Sequence, residues 1–353
     1  MLDKNNILWY NKYIETTTVR RVQKERETKM ARKKLYLTLD TETATLPFIK
    51  EWELTAKQKQ NIAIAKPLVY DIGWTVTDRM GNIVLKRNYL IQETFFVPNV
   101  FNTAYYKDKR PIYMQLLADG AIEVATWEQA IERLQLDLDD CDIATAYNAC
   151  FDYKKAIPFT ERYIKALYSN HYNEWEERQR KSCRDIANGI NDSENPDYLE
   201  PFFELRGVRY PIVDLWGLAC ERLINIDKYR NYCLDNGLLS ASALYFKTSA
   251  ETSFQYLMNK HDFIEDHTAL SDAEIEAQIL TKALKKGKVE PQLGAFPFRE
   301  LGTTYDYACR HPKYAEVVYE KMNVYYSSNC TTNSGYWTRV ENMIAGLEYM
   351  LSK

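Results

Sequence analysis

Three short stretches of this chain hold side chains that could do chemistry together. Asp40-Thr41-Glu42 closes the alternating apolar run Leu35-Tyr36-Leu37-Thr38-Leu39. On a strand, residues two apart share a face, so both carboxylates can point at one site. Two carboxylates held close repel each other unless a cation neutralises them, which makes the pair a natural Mg²⁺ ligand. The second stretch is Asn148-Ala149-Cys150-Phe151-Asp152. A buried strand delivers Asn148, and Asp152 falls in the first turn of the next helix, where the helix dipole favours a carboxylate. The third runs from His267 through Thr268, Ala269, Leu270 and Ser271 to Asp272 and Ala273. Histidine is the side chain that most readily exchanges a proton near neutral pH. Beside a metal-bound water, His267 could act as a general base.

Spacing alone does not single these stretches out. Asp-x-Glu recurs at Asp192–Glu194 and Asp272–Glu274, Asn-x-x-x-Asp at Asn188–Asp192 and Asn231–Asp235, and the His-to-Asp interval at His261–Asp266. Placement does, because each chosen copy sits at the end of an expected element. A tyrosine could replace His267 in the arrangement Tyr210-Pro211-Ile212-Val213-Asp214, but Asp214 would then lie within a core strand.

The elements that must carry these residues are legible in part. Residues 35–40 alternate at strand period. Residues 68–78 and 82–91 read as two strands joined near Arg79-Met80-Gly81-Asn82, so the first three strands form an antiparallel meander. Trp127, Ala130, Ile131 and Leu134 have helical spacing over 127–138. Residues 142–148 read as a buried strand, a helix begins near Phe151, and 210–216 form a further strand. The last clear helix starts near Ser271, taken as its N-cap, and carries Ile275, Ile279, Leu280 and Leu284 on one face. The stretch 160–205 is charged and irregular. Three antiparallel strands followed by helix–strand–helix–strand–helix describe an α/β protein with a mixed sheet.

Composition narrows the function classes. The net charge of −3 excludes an overall basic field for holding a polyanion, so any grip on nucleic acid is local or carried by cations. The chain has 27 Tyr, a residue that offers stacking surfaces for bases as well as core volume. Residues 1–34 hold ten Lys/Arg against four Asp/Glu, a basic arm or solvated helical face. The seven cysteines are odd in number, widely spaced and without C-x-x-C, which argues against a zinc site or a disulfide framework and for a reducing, cytoplasmic setting. No apolar stretch approaches the roughly 20 residues that span a bilayer, so no membrane association is expected.

Taken together and in chain order, the three motifs resemble those of the DEDDh, or DnaQ-like, 3′–5′ exonucleases. Asp40-Thr41-Glu42-Thr43 is similar to the first family motif, Asn148 through Asp152 to the second and His267 through Ala273 to the third. Tyr70-Asp71-Ile72-Gly73-Trp74 and Val213-Asp214-Leu215 resemble the second and fifth strands. The chain departs from the family pattern at Ala44-Thr45, where Gly often occurs, and at Tyr147, where His often precedes the asparagine. The resemblance covers residues 35–287 and implies a ribonuclease H-like fold, a five-stranded mixed sheet with helices on both faces. It places insertions near 44–66, 100–120 and 160–205, and leaves 288–353 as a Tyr-rich C-terminal extension. It implies two divalent cations, Mg²⁺ or Mn²⁺, held by Asp40, Glu42, Asp152 and Asp272, with His267 as proton acceptor. Asn148 and the backbone from Thr41 to Thr43 would touch the terminal nucleotide. The implied substrate is a nucleic acid with a free 3′ end, single-stranded DNA ahead of RNA, and the products are nucleoside monophosphates. Three other roles compete: a proofreading or trimming subunit with a replication or repair partner, an exoribonuclease, and a catalytically idle binding module.

Overall fold

The computed structural model describes residues 33–190, 200–287, 290–294, 301–330 and 335–353. The basic run of the N-terminal arm and the rival Asp192–Glu194 lie outside the described residues. Seven strands form the sheet: β1 (Leu35–Ala44), β2 (Leu68–Asp78), β3 (Ile83–Ile91), β4 (Glu123–Ala125), β5 (Ile143–Ala146), β6 (Phe202–Leu205) and β7 (Val208–Asp214). Their order is β4-β3-β2-β1-β5-β7-β6. The meander β1-β2-β3 is antiparallel, and β5 and β7 run parallel to β1. These are the five strands expected from the sequence. The sheet is larger than expected, because β4 adds to β3 and β6 adds to β7 at the two edges. β4 has three residues and β6 four, too short for alternation to register.

Both faces of the sheet are covered, and β1 shows how. Its odd positions Leu37 and Leu39 join Trp74 in a core with Ile131 and Leu134 of the helix Trp127–Asp139 and with Phe159 of the helix Ile157–Leu167. The Trp74 indole donates to Asp137 at 3.0 Å, which ties that helix to β2. Tyr36, on the opposite face, joins Ile143 and Val213 in a second core with Ile275 and Ile279 of the helix Ala269–Lys286. β2 is buried along its whole length.

Two other sequence readings need correction. Much of the stretch read as irregular is helical, including Tyr172–Ala187. Only Trp175, Cys183 and Ile186 of that helix are buried, so its apolar stripe is too thin to stand out among its charges. Ser271 is not an N-cap either. The helix begins at Ala269 after Thr268, and Thr268 makes no side-chain cap bond. The C-terminal helices Thr304–Arg310, Ala315–Asn329 and Gly335–Leu351 belong to the second core through Tyr307, Val318, Met322 and Leu347. No helix among the described residues is long and apolar enough to cross a membrane.

Candidate active site

Asp40 and Glu42 lie on the same side of β1 as Tyr36, facing the N-terminus of the helix Ala269–Lys286. Their cross-strand partners on β2 are Gly73 and Asp71, and these two residues seat the helix. A Cβ at Gly73 would lie 2.6 Å from Leu270 Cα, inside van der Waals contact, so only glycine lets the helix start this close to the sheet. Asp71 supplies the cap that the sequence reading had assigned to Ser271. Its Oδ2 accepts the Ala269 N–H at 2.8 Å, and its Oδ1 accepts from Asn88 at 2.5 Å. Burial pushes Asp71 up to about 7 against the pull of these bonds. One strand thus fixes the helix end that presents Asp272.

Asp152 arrives from a widened, π-helical turn, Cys150–Ala156, a departure from regular helix often found at functional sites. It is buried and accepts the Thr41 hydroxyl at 2.6 Å. Burial raises Asp152 to about 7, partly offset by that bond. The Thr41 hydroxyl is therefore engaged with a site carboxylate. Thr43 follows an irregularity in the β1–β2 register and is half-buried. Asn148 has φ 72° and His267 φ 49°. Both sit in the left-handed region that disfavours side-chain-bearing residues, and such backbone collects at functional sites.

The outer part of the site forms around His267. Among the described residues, Glu42, His267 and Asp272 make the one group of three or more candidate ligands whose donor atoms all lie within 4.8 Å of one another. The His267 Nδ1 is 3.7 Å from both Asp272 Oδ2 and Glu265 Oε2. Asp40 and Asp152 do not join this tight group, but Asp40 feels the charges of Glu42 and Asp272 within it. Asp40 is pushed well above the ordinary carboxylate range by burial first, then by Glu276, Asp152, Asp272 and Glu42. Glu42 is raised by burial and by Asp272, with Lys109 pulling the other way. Burial also raises Asp272, opposed by its bond and charge interaction with His267.

The carboxylate oxygens suit a hard divalent cation, whereas the imidazole nitrogen beside them is a donor for softer metals. Asp272 Oδ1 is buried without a hydrogen-bond partner on a residue only 7% exposed, and Glu265 Oε1 is also buried and unpartnered. Buried acceptors are normally satisfied. An orphaned carboxylate oxygen inside an acidic cluster is what a cation would complete, so these residues fit a metal ion.

Sequence reasoning missed several members of the site. Glu276, one helical turn after Asp272, is buried, and its Oε2 accepts the Tyr147 N–H at 3.1 Å. Burial and Asp152 push it well above the ordinary range. Its i+4 position from Asp272 was the available signal. Glu265 is raised to about 7 by burial and by Asp272. The segment after β3, expected as an insertion, forms a wall of the site. Tyr106 stacks on His267 with centroids 4.2 Å apart and planes at 13°. Lys109 donates to the Asp266 carbonyl at 2.5 Å, and Tyr113 donates to the His267 carbonyl at 3.2 Å. No local pattern marks these three.

The other candidates are engaged elsewhere. The Tyr210 hydroxyl donates to Asp139 at 2.6 Å, and Asp214 accepts the Gly217 N–H at 3.1 Å as a helix cap. The rival His261 contacts Tyr232 and Asn259. No protein-family model matches the chain, and no curated protein matches it.

Proposed function

We propose that this chain is a metal-dependent 3′–5′ exonuclease of the DEDDh type, acting on single-stranded ends, with DNA preferred over RNA. The convergence of Glu42 with His267 and Asp272 within ligand distance carries the reading, since Glu42 lies 225 or more positions before the other two in the chain. The strand order β3-β2-β1-β5-β7 and the helices on both faces support a ribonuclease H-like fold. Asp40, Glu42, Asp152 and Asp272 would hold a pair of Mg²⁺ or Mn²⁺ ions. Bound there, the ions would supply positive charge for hydrolysis of a phosphodiester.

The chain's own residues do the rest. Thr41 fixes the rotamer of Asp152, and Asp71 with Gly73 fixes the height of Asp272. Tyr106 holds the His267 ring flat, and Tyr113 anchors its backbone. Because Nδ1 faces Asp272 and Glu265, Nε2 is the nitrogen that takes a proton from the attacking water. The two carboxylates stabilise the imidazolium so formed. Lys109 sets a positive charge at the edge of an acidic site, where a substrate phosphate must approach.

The test is release of nucleotide from oligonucleotides labelled at either end, as DNA and as RNA, with Mg²⁺ or Mn²⁺. Stepwise shortening from the 3′ end, abolished by EDTA, is expected. Intact substrate with every cation, or shortening from the 5′ end, would refute the reading.

A further inference from the structure

Tyr105 meets one other ring among the described residues. It is 86% exposed, yet its ring meets Tyr106 edge-on at 4.9 Å and 89°. Tyr106 in turn lies flat on His267, so three rings run without a gap from solvent to the histidine of the carboxylate cluster. The Lys109 ammonium lies 5.0 Å above the Tyr106 ring, and its charge acts on Glu42 and Asp272. The third-motif loop carries Ile264, 76% exposed, three residues before His267. Both segments that meet at His267 therefore bear a large, exposed, apolar side chain. A single exposed tyrosine is unremarkable on a protein surface. An exposed ring joined through a second ring to a candidate proton acceptor, with a cation alongside, is a different arrangement.

We infer that Tyr105 and Lys109 form a nucleotide platform. Tyr105 stacks on a base at the single-stranded 3′ end, and Lys109 receives a phosphate of that strand. Every base has a π-face, so such a ring holds an end without reading its sequence. A base paired in a duplex presents its face to its neighbours in the stack, so the platform favours unpaired ends. Tyr105 and Lys109 are four residues apart, and both meet the Tyr106 ring, the first edge-on and the second with its ammonium 5.0 Å from the centroid. This inference rests on the exonuclease reading for its substrate class, but it concerns residues outside the carboxylate motifs.

The experiment compares wild type with Tyr105→Ala and Tyr105→Phe on two single-stranded DNA oligonucleotides, one normal and one lacking the bases of its last two nucleotides. Nucleotide release gives KM and kcat, and fluorescence anisotropy in Ca²⁺ gives Kd for the same strands. Wild type and Tyr105→Phe are expected to bind the normal strand about tenfold more tightly than the abasic one. Tyr105→Ala should bind both equally, with KM raised and kcat within twofold. Lys109→Gln should weaken both strands alike and flatten the salt dependence. Unchanged discrimination in Tyr105→Ala would overturn the platform, even with release intact, and would leave the ring as a contact for a protein partner. Base-dependent binding by wild type without nucleotide release would keep the platform and sink the exonuclease reading.

Discussion

Asp152 and Glu276 each have an oxygen bonded to the chain itself, the first to the Thr41 hydroxyl and the second to the Tyr147 N–H. Asp272 and Glu265 each keep a buried oxygen with no partner. The inner carboxylates are thus oriented by the fold, with no help from a ligand. The outer ones are brought together around His267 and left with acceptor capacity unfilled. The difference separates what holds the site in shape from what an incoming cation or substrate completes. The inner pair stands on a π-helical turn and on the second turn of the helix Ala269–Lys286. Of the outer pair, Asp272 stands on the first turn of that same helix and Glu265 on the loop before it, and both meet His267, a loop residue in the left-handed region braced by Tyr106 and Tyr113.

The largest expected effect breaks the outer group. Asp272→Asn should lower 3′ nucleotide release by at least about a hundredfold, more than the loss of a residue that only supports a ligand. It should leave the metal-free melting temperature unchanged or raised, because one repelling charge is gone. Glu276→Gln keeps an acceptor for Tyr147 and removes a charge from the inner group, so a smaller loss, about tenfold, is expected. Equal losses in the two variants would erase the distinction between the groups.

Next in size is a pH effect on the metal-free protein. Asp152, Asp71 and Glu265 are all raised to about 7, mainly by burial. Unfolded carboxylates titrate near pH 4, so between about 4 and 7 the folded state holds protons that the unfolded state has lost. Stability is therefore full below pH ~4 and falls as pH rises through 7, by up to ~1.4 kcal/mol per pH unit for each such group. Melting curves in EDTA should shift down from pH 5.5 to 8. Mn²⁺ should raise the melting temperature more at pH 8 than at 5.5, because ligation displaces protons. A flat or rising EDTA profile would contradict the burial of these groups.

A packing test comes third. Gly73→Ala should cost about 1–3 kcal/mol, the range for overpacking, and reduce activity by lifting the helix end that carries Asp272. Chemical denaturation with a parallel activity assay separates the two effects, and full stability with full activity would show that the helix does not sit against β2. The smallest effect expected is that of Tyr210→Phe. It loses the bond to Asp139, worth about 1 kcal/mol, and should keep activity within twofold. A large loss of kcat would restore the tyrosine reading of the site.

The acidic motifs and the five inner strands were legible because both depend on short-range pattern. Alternation marks β1, and each motif sits at the end of an element. Gly73 and Asp71 were visible as part of a strand, but their work was not, since it consists of contacts with Ala269 and Leu270 almost two hundred residues away. The wall of Tyr106, Lys109 and Tyr113 was hidden for the same reason. Ser271 misled because an N-cap was sought next door in sequence, whereas Asp71 caps the helix from a neighbouring strand.

Local order along the chain determined which side chains stand at the ends of strands and helices, and hence the chemical types available to the site. Pattern reaches that far because backbone periodicity is a property of neighbouring residues. Only the tertiary structure decided that Glu42, His267 and Asp272 come within ligand distance of one another, that Glu276 and Glu265 add their charges, and that an oxygen of Asp272 is buried without a partner. Burial and the field of distant charges are sums over the whole fold, and no window of sequence contains them.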